Sequence, residues 1–187
     1  MANHVRIIAG LWRGKHIPVP HNALVRPTGD RVRETVFNWL GTSLYQARCL
    51  DLFTGSGILG LEALSRGATE ITFVDNDPKI IHTLKNVLRG LNLDKDKTKV
   101  SLLNQNALLP IHPKPLPYDI IFLDPPFQGN VLDQCIPLLK QYGYEKQGSL
   151  VYIEMAETHT LTLPSHWHCL KQSKAGQVVY QLIEVDL

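Results

Sequence analysis

From about Arg48 onward, short apolar runs alternate with longer segments whose apolar residues recur at helical spacing. Short apolar runs predict buried strands, and the longer periodic segments predict amphipathic helices. The predicted strands cover residues 48–53, 71–75, 99–104, 118–124, 149–155, 168–173 and 177–185. Strands that alternate with helices in this way predict an α/β fold, a doubly wound and mainly parallel seven-stranded sheet with helices on both faces.

Helices are predicted between these strands, at about residues 57–66, 78–89 and 130–141. The second helix has consistent end signals: Asp77 as N-cap, Pro78 as the first helical residue and Gly90 just after the end. The last strand follows a turn at Gly176 with no helix before it, so we expect it to pair antiparallel at the end of the sheet.

The N-terminal part of the chain has a different pattern. Two β-like pieces, residues 4–10 and 12–19, surround a turn marked by Gly10 and Gly14, which favours a hairpin. Thr28 is a good N-cap for the helix that follows. The apolar positions of that helix are Val32, Val36, Phe37, Leu40 and Leu44.

We therefore expect two parts, an N-terminal hairpin-and-helix extension (residues 1–47) and a sheet domain (residues 48–187). The chain has 187 residues, of which 44% are hydrophobic. This length suits one domain with a small appendage, and a self-contained domain of this size is consistent with a monomer. No apolar stretch approaches the roughly 18 residues needed to cross a membrane, and the N-terminus has no secretory pattern. We expect a cytoplasmic protein without membrane contact.

The cysteines and histidines do not predict a metal site. Cys49, Cys135 and Cys169 are scattered, which fits a reducing cytoplasm. The run His166-Trp167-His168-Cys169 holds metal-ligating residue types, but adjacent residues of a strand point to opposite faces. No metal is therefore expected.

Charge is distributed unevenly along the chain. The net charge is +2, yet residues 1–48 hold seven Lys/Arg against two acidic residues, whereas the remaining residues hold twelve against fifteen. A basic N-terminal segment suggests that a polyanion docks there, the alternative being a solvated face with ordinary salt bridges. The candidate residues for contacting a polyanion such as RNA are Arg6, Arg13, Lys15, Arg26, Arg31 and Arg33. The alternative for Arg26 and Arg33 is that they fold inward, to pair with Glu34 or to close over a cofactor.

A glycine-rich loop follows the first strand of the sheet domain. Gly55, Gly57 and Gly60 form a G-x-G-x-x-G pattern between a strand and a helix, and Asp75 lies twenty residues beyond Gly55. Such a loop lets the backbone approach a nucleotide cofactor, and the acidic residue can accept hydrogen bonds from ribose hydroxyls. The alternative is a tight turn that binds no ligand. The pattern suits both NAD and S-adenosylmethionine.

Three observations favour S-adenosylmethionine, which has no pyrophosphate to place at the helix N-terminus. They concern Asp51, Asn106 and the fourth strand of the sheet domain, which ends at Asp124 and is expected to lie next to the first strand in a doubly wound order. Asp51, at the end of the strand before the loop, can orient the cationic amine of the cofactor, the alternative being a strand-end carboxylate satisfied within the protein. Asn106 follows the third strand, where an adenine contact is expected, although an Asx turn is the alternative. Phe53 beside the glycine loop completes the candidate cofactor residues.

The turn Asp124-Pro125-Pro126-Phe127 ends the apolar run 118–123. Proline cannot extend a central ladder, so the strand stops at Asp124. The turn then holds a carboxylate, the Pro125 carbonyl and the Phe127 ring in a fixed relation. This arrangement is typical of enzymes that methylate an exocyclic amine of a nucleobase, although prolines also end strands without any function. The four residues are the candidate catalytic residues.

Several strings of the chain together resemble a known family. The positions from Asp51 to Gly60, with Asp75, Asn106 and the Asp-Pro-Pro-Phe turn, resemble class I S-adenosylmethionine-dependent methyltransferases. The N-terminal strings are similar to those of the bacterial RsmD family: Arg6-Ile7-Ile8-Ala9-Gly10, Trp12-Arg13-Gly14, Arg26-Pro27-Thr28 and Asp30-Arg31-Val32-Arg33-Glu34. The resemblance covers essentially the whole chain and ends with the Ala175-Gly176-Gln177-Val178 hairpin.

The resemblance implies a Rossmann-like fold with a small N-terminal β-hairpin and helix extension. It also implies methylation of N2 of a guanine in 16S ribosomal RNA, within the small subunit or its assembly intermediate. Two positions differ from the family pattern: Asp75 stands where Glu is common, and Gln128-Gly129 where a basic residue is frequent.

Three other functions remain open from the residues. A DNA or RNA adenine-N6 methyltransferase uses the same turn, but 187 residues leave little room for a large target-recognition region. An NAD-dependent oxidoreductase is the interpretation if the Asp-Pro-Pro-Phe turn has no catalytic role and only ends its strand. A non-catalytic ribosome-assembly factor would keep the fold and lose the chemistry, against which the intact turn and glycine loop argue.

Overall fold

The structure is a computed structural model, and it describes residues 4–19, 29–94, 96–126 and 129–187. The strands are β1 (His4–Arg6), β2 (His16–Pro18), β3 (Arg48–Asp51), β4 (Glu70–Asp75), β5 (Lys99–Asn104), β6 (Ile120–Leu123), β7 (Leu150–Ala156), β8 (Trp167–Ala175) and β9 (Val178–Val185). The helices are α1 (Asp30–Leu40), α2 (Ile58–Ser65), α3 (Pro78–Gly90) and α4 (Val131–Tyr142), with a 3₁₀ turn at Gly41–Leu44.

Seven strands form the central sheet in the order β5-β4-β3-β6-β7-β9-β8. The first five of these are mutually parallel, and β9 pairs antiparallel with both β7 and β8. The predicted mainly parallel seven-stranded sheet is therefore confirmed. One detail differs: β9 lies inside the sheet and β8 is the edge strand, because the hairpin folds back against β7.

The core lies on both faces of the sheet. On one face, α1, α2 and α3 contribute side chains such as Phe37, Leu61 and Leu84 to a cluster that also holds Phe73 and Phe122. On the other face, α4 packs on the second cluster, which includes β6 and β7 residues. Phe73, Phe122 and their neighbours are fully buried, so the central strands are apolar on both sides.

The N-terminal extension packs into the first of these clusters. Val5, Ile7, Trp12 and Ile17 are buried there together with residues of α1 and α2. The antiparallel pair β1–β2 confirms the predicted hairpin, although its strands have three residues each and the connection between them is long. The extension is therefore part of the main hydrophobic core.

The glycine at the tip of this connection makes a close approach possible. Gly10 has a φ of 82°, and a Cβ there would lie 1.9 Å from the backbone oxygen of Ser65. The Leu11 N–H donates to that same oxygen at 2.7 Å. The Trp12 N–H donates to Ser65 Oγ at 2.9 Å, and this hydroxyl donates to the Ala9 carbonyl at 2.7 Å. Ser65, the last residue of α2, therefore binds the connection between β1 and β2 through three hydrogen bonds.

Two helix ends differ from the predicted ones. Helix α1 has Gly29 at its N-cap position, and the predicted cap Thr28 lies outside the described residues. Asp77 caps α3 as predicted, with its side chain accepting from the Lys79 N–H. Gly90, predicted to follow α3, is instead its last helical residue, because the chain leaves the helix at Leu91, whose side chain is buried in the core. In the described part of the chain, no helix combines the length and apolarity that crossing a bilayer requires.

Candidate active site

Three strands bring the predicted functional residues to one edge of the sheet. β3 lies between β4 and β6, and Asp51 stands in register with Phe73 on one side and Phe122 on the other. Parallel neighbours end at the same edge, so the ends of β3, β4 and β6 converge there. The order of strands reverses between β3 and β6, which is the position where doubly wound sheets bind ligands.

The glycine loop joins β3 to α2 in a conformation that requires glycine. Gly55 and Gly57 have φ angles of 52° and 75°, and the loop is pinned by the Thr54 N–H, which donates to the Val74 carbonyl at 3.1 Å. A Cβ at Gly60 would lie 2.3 Å from a ring carbon of Phe73. The glycines therefore permit the turn and bring α2 close to the sheet.

Asp51 is a buried carboxyl group behind this loop. Its Oδ2 accepts from the Gly60 N–H at 3.3 Å, and its side chain is almost completely shielded from solvent. Burial raises the pKa of Asp51 to about 7, and the charge of Asp75 adds to the rise. A buried carboxyl group of this kind gains from a cationic ligand beside it, because the cation stabilises the charged form. Phe53 is half-buried and packs beside the loop against the second core cluster.

Asp75 ends β4 and shapes the loop with both of its carboxylate oxygens. Oδ2 accepts from the Gly55 N–H and Oδ1 from the Asp77 N–H, each at 2.9 Å. Burial raises the pKa of Asp75, while these backbone bonds oppose the rise. The side chain is half-exposed. Each oxygen has a further lone pair, so the group can still accept from a ligand hydroxyl.

Asn106 lies just beyond β5 and forms the Asx turn that was its alternative interpretation. Its Oδ1 accepts from the Leu108 N–H at 2.9 Å, and the residue is exposed. Next to it, the Asn104 side chain donates to the Asp75 carbonyl at 3.0 Å, so the end of β5 is tied to the end of β4. The turn uses the side-chain oxygen of Asn106. In the described contacts, the side-chain NH2 group of Asn106 donates to no other residue.

The Asp-Pro-Pro-Phe turn leaves β6 directly after Leu123. Asp124 is half-buried, Pro125 is buried and Pro126 is exposed, while Phe127 lies outside the described residues. β6 is the direct neighbour of β3, so the predicted adjacency of this turn and the glycine loop is confirmed. A carboxylate and a backbone carbonyl thus stand next to the ligand-binding edge.

Two residues of this region were missed from the sequence. Leu123 is in register with Ile153, so Glu154 of β7 stands beside Asp124 at the carboxyl edge. Glu154 is only 5% exposed, and the Tyr152 hydroxyl donates to its Oε1 at 2.5 Å. Burial raises the pKa of Tyr152 well above its ordinary value, and the charges of Glu154 and Asp124 add to this rise. A charged residue in the otherwise apolar strand run 151–155 was the available signal.

The predicted RNA-binding residues divide into exposed and buried ones. Arg6, Arg13, Lys15 and Arg31 are exposed, and Arg6 forms a salt bridge with Asp30 at 3.6 Å. Arg26 lies outside the described residues. The exposed members are available to a polyanion.

The RNA-binding prediction for Arg33 is wrong, whereas the alternative that this side chain folds inward is confirmed. Its side chain is 0% exposed, and its guanidinium donates to the Arg6 carbonyl at 2.9 and 3.0 Å and to Asp30 at 2.6 Å. A group so enclosed has no surface to offer to a phosphate. The expected partner, Glu34, is exposed, and the structure places Arg33 beside Glu62 instead, at 4.0 Å.

Glu62 is the hidden acidic residue that organises the extension. It is 0% exposed, and its two oxygens accept from the Ile8 and Ala9 N–H groups at 2.8 and 3.0 Å. It also accepts from Arg66 Nε at 2.7 Å. Helix α2 therefore begins at the glycine loop and carries, in its second half, the Glu62 side chain that binds the extension. Within the residues that the structure describes, no group of His, Cys, Asp and Glu could hold a metal ion.

The fold and the site define a protein of the class I methyltransferase type. The glycine loop leaves β3, Asp75 ends β4 on one side of it, and the Asp124-Pro125 turn ends β6 on the other side, across the switch point. A family model described as conserved hypothetical protein 95 matches residues 5–184. The chain is 43% identical to ribosomal RNA small subunit methyltransferase D of Haemophilus influenzae, over 96% of this chain and 93% of the relative. It is 40% identical to the Escherichia coli protein of that name, over 98% and 91%. The chain belongs to the ribosomal RNA small subunit methyltransferase D family, RsmD.

Solved structures agree with this assignment. The Escherichia coli protein yhhF has a TM-score of 0.85 and 40% identity, covering 98% of this chain and 99% of that chain. The Thermus thermophilus 16S rRNA N2 G1207 methyltransferase RsmC, solved with AdoMet and guanosine, has a TM-score of 0.65 at 18% identity. It covers 100% of this chain and 50% of that chain. The second likeness is one of fold.

Proposed function

We propose that this protein transfers a methyl group from S-adenosylmethionine to the exocyclic N2 amine of a guanine in 16S rRNA of the small ribosomal subunit. The observation that carries the proposal is the adjacency of two features: the Asp124-Pro125 turn ends β6, and the glycine loop leaves the neighbouring strand β3. Membership of the RsmD family, whose relatives are named for ribosomal RNA small subunit methylation, supports the rRNA substrate.

The residues around the glycine loop fit S-adenosylmethionine. Asp51 offers a buried carboxyl group to the cationic amine, and Asp75 offers oxygens to the ribose. Gly55 and Gly57 open the loop backbone to the ligand, with φ angles that exclude most side chains. Asn106 and Phe53 complete the set, Asn106 for the adenine edge and Phe53 as an apolar wall. When bound, S-adenosylmethionine supplies an electrophilic sulfonium methyl group.

The chain's own residues act on the acceptor amine. The lone pair of guanine N2 is delocalised into the ring, so the free amine is a poor nucleophile. Hydrogen bonds from its two N–H groups to the Asp124 carboxylate and the Pro125 carbonyl favour a pyramidal nitrogen, whose lone pair is then free to attack. Asp124 accepts the proton that the nitrogen loses. Pro126 stiffens the turn and Phe127 stacks on the base, a contact worth roughly 1–3 kcal/mol. Positioning supplies most of the acceleration.

We further propose that residues 1–47 form an RNA-docking extension on the methyltransferase domain of residues 48–187. Arg6, Arg13, Lys15 and Arg31 are exposed there and would bind phosphates near the target base. Arg26 belongs to the same proposal from its sequence position alone. The substrate would be 16S rRNA in the small subunit or its assembly intermediate, methylated by a cytoplasmic monomer.

The experiment is labelled methyl transfer from S-adenosylmethionine to naked 16S rRNA, small subunits and DNA, followed by nucleoside analysis. Labelled N2-methylguanosine from either rRNA substrate is the expected product. N6-methyladenosine would replace the proposal by an adenine methyltransferase, and no labelled nucleoside from any substrate would reject catalysis. An Asp124→Ala preparation serves as the matched control for contaminating activity.

A further inference from the structure

A groove of about 450 Å³ lies between β2 and the second half of α3. Its walls combine apolar and polar side chains, including the half-buried Pro18 and Val87 and the exposed Lys15 and Asn86. Gly90, at the end of α3, lines the groove without filling it. Among the described residues assigned above to methyl transfer or RNA binding, only Lys15 lines this groove.

The charge beside the groove has one sign. Lys79, Lys85 and Arg89 are exposed on α3, and Lys15, also exposed, immediately precedes β2 on the other side of the groove. The sequence from residue 78 to residue 93 contains no Asp or Glu. Within the described part of the chain, none of these four side chains forms an ion pair. Arg89 donates to Asn86 Oδ1 at 3.4 Å, which is a neutral partner. The charges of the four side chains are therefore available to an external polyanion.

The basic residues of α3 continue from the edge that carries the candidate active site. Residues three or four apart on a helix are neighbours, so Lys79, His82, Asn86 and Arg89 form one row. Asn86 belongs both to this row and to the groove wall, so the row runs along the groove. Ten residues of helix span about 15 Å. α3 begins three residues after Asp75, so the row leads away from the carboxyl edge of the sheet.

We propose that a single-stranded segment of the RNA substrate binds along this groove, with phosphates on Lys15, Lys79 and Arg89 and one unstacked base against Pro18 and Val87. The proposal rests on the rRNA substrate proposed above. Single-stranded nucleic acid is bound by cations that follow its backbone and by aromatic side chains on which its bases stack. A base that has left its stack also packs against apolar side chains. The groove offers cations and apolar side chains, and sequence-specific RNA binding typically uses unpaired segments.

Gly90→Trp tests the groove without changing its charge. A Cβ at Gly90 meets no heavy atom within 4 Å, so a large side chain at this groove-lining residue is accommodated without entering the core. Gln141→Trp, at an exposed position in the last turn of α4, is the matched control. With a labelled mixed-sequence single-stranded RNA as probe, we expect Gly90→Trp to weaken binding about tenfold and Gln141→Trp to leave it unchanged.

A charge variant tests the phosphate contacts. Lys79→Gln with Arg89→Gln should reduce the slope of log affinity against log salt concentration by about 1.4, since each single-strand phosphate contact contributes about 0.7. Lys140→Gln with Lys171→Gln removes the same charge from exposed positions of α4 and β8, and the slope should stay at the wild-type value. Binding of S-adenosylmethionine at wild-type affinity verifies that each variant is folded.

The outcomes separate this proposal from the function it rests on. If the wild-type protein methylates rRNA and Gly90→Trp binds the probe and methylates as well as the wild type, the groove proposal is wrong and the function stands. If Gly90→Trp binds naked RNA normally but methylates assembled subunits poorly, the groove contacts a protein of the subunit, which also overturns the proposal. If the wild type neither binds nor methylates RNA, both fail.

Discussion

The carboxyl edge of the sheet and the N-terminal extension both carry charged residues, but the two regions hold them in opposite ways. At the edge, Asp75 accepts from N–H groups of the glycine loop and of Asp77, the N-cap of α3, beside the candidate ligand site. In the extension, Arg33 is enclosed and bound to a backbone carbonyl, beside a Glu62 that accepts from two backbone N–H groups.

The comparison shows that charged residues in one chain serve two different roles, the proposed ligand binding at the edge and structural pairing in the extension. At the edge, Asp75 can still accept from a ligand hydroxyl, because each carboxylate oxygen has a lone pair beyond its backbone bond. The buried Arg33–Glu62 pair instead holds α1 against α2. Burying such a pair costs free energy of desolvation, which its polar contacts must offset. The net charge counted from the sequence of a basic segment is therefore larger than the charge that the segment exposes to a polyanion. The predictions below separate the two regions, beginning with the largest effect.

Replacing the carboxylate at the edge should have the largest effect. Asp124→Ala removes an acceptor for the amine and should reduce turnover by about 10²–10⁴-fold, the range for loss of a proton-accepting group. Binding of S-adenosylmethionine, measured by calorimetry, should change little. Asp124→Asn is the matched variant, because its amide oxygen still accepts a hydrogen bond, and it should retain more activity than Asp124→Ala. Equal turnover of wild type and Asp124→Ala would contradict the role assigned to this residue.

Breaking the anchor of the extension should instead reduce stability. Glu62→Ala leaves Arg33 and Arg66 without their buried partner and two backbone N–H groups without acceptors. Loss of one partner from a buried pair costs about 3–5 kcal/mol, which urea unfolding would measure. Glu34→Ala, on the exposed side of α1, is the control and should change the free energy of unfolding by less than about 0.5 kcal/mol. A small loss for Glu62→Ala would mean that the extension does not depend on this residue.

The two regions were also unequally predictable. The residues of the edge lie at strand ends, in short strings such as Asp51 to Gly60 and Asp124 to Phe127, so local patterns reveal them. The sheet order then follows from the general geometry of doubly wound folds. The adjacency of β3 and β6 was predicted in this way and is confirmed.

The anchor of the extension could not be predicted in the same way. Glu62 contacts Ile8 and Ala9 across 54 and 53 residues of sequence, and no local periodicity encodes such pairs. Its position within an almost entirely buried helix was the only hint, since a buried carboxylate must find partners. The position of β8 at the sheet edge was likewise invisible, because strand patterns do not give the order of neighbours.

The pH dependence of cofactor binding distinguishes Asp51 from an ordinary strand-end carboxyl group. The folded pKa is about 7, whereas an unfolded Asp titrates near about 3.9. Between these values the folded chain holds a proton that the unfolded chain has released, so the free energy of unfolding falls as the pH rises from about 4 to about 7. A cationic amine beside Asp51 expels this proton, so affinity should rise with pH over the same interval.

Calorimetry would measure that dependence. The affinity for S-adenosylmethionine should be about tenfold weaker at about pH 5.5 than at about pH 7. Asp51→Asn should bind more weakly and lose this pH dependence, whereas Asp96→Asn, at an exposed site, should behave as the wild type. A wild-type affinity that is constant across this range would show that Asp51 does not pair with the amine.

Two arginines of α1 give the smallest and most specific comparison. Arg31 is exposed and Arg33 is buried, although they stand two residues apart in the same helix. Arg31→Gln should weaken RNA binding by a few-fold, reduce the salt slope by about 0.7, and leave the free energy of unfolding unchanged, because it loses one phosphate contact at the surface. Arg33→Gln should lower the free energy of unfolding, because Glu62 loses a buried cationic neighbour. Salt titrations of RNA binding and urea unfolding of both variants would measure these effects. If Arg33→Gln changed the salt slope of a stably folded protein and Arg31→Gln did not, Arg33 would reach the RNA after rearrangement, and the separation between structural and RNA-binding charges drawn here would be wrong.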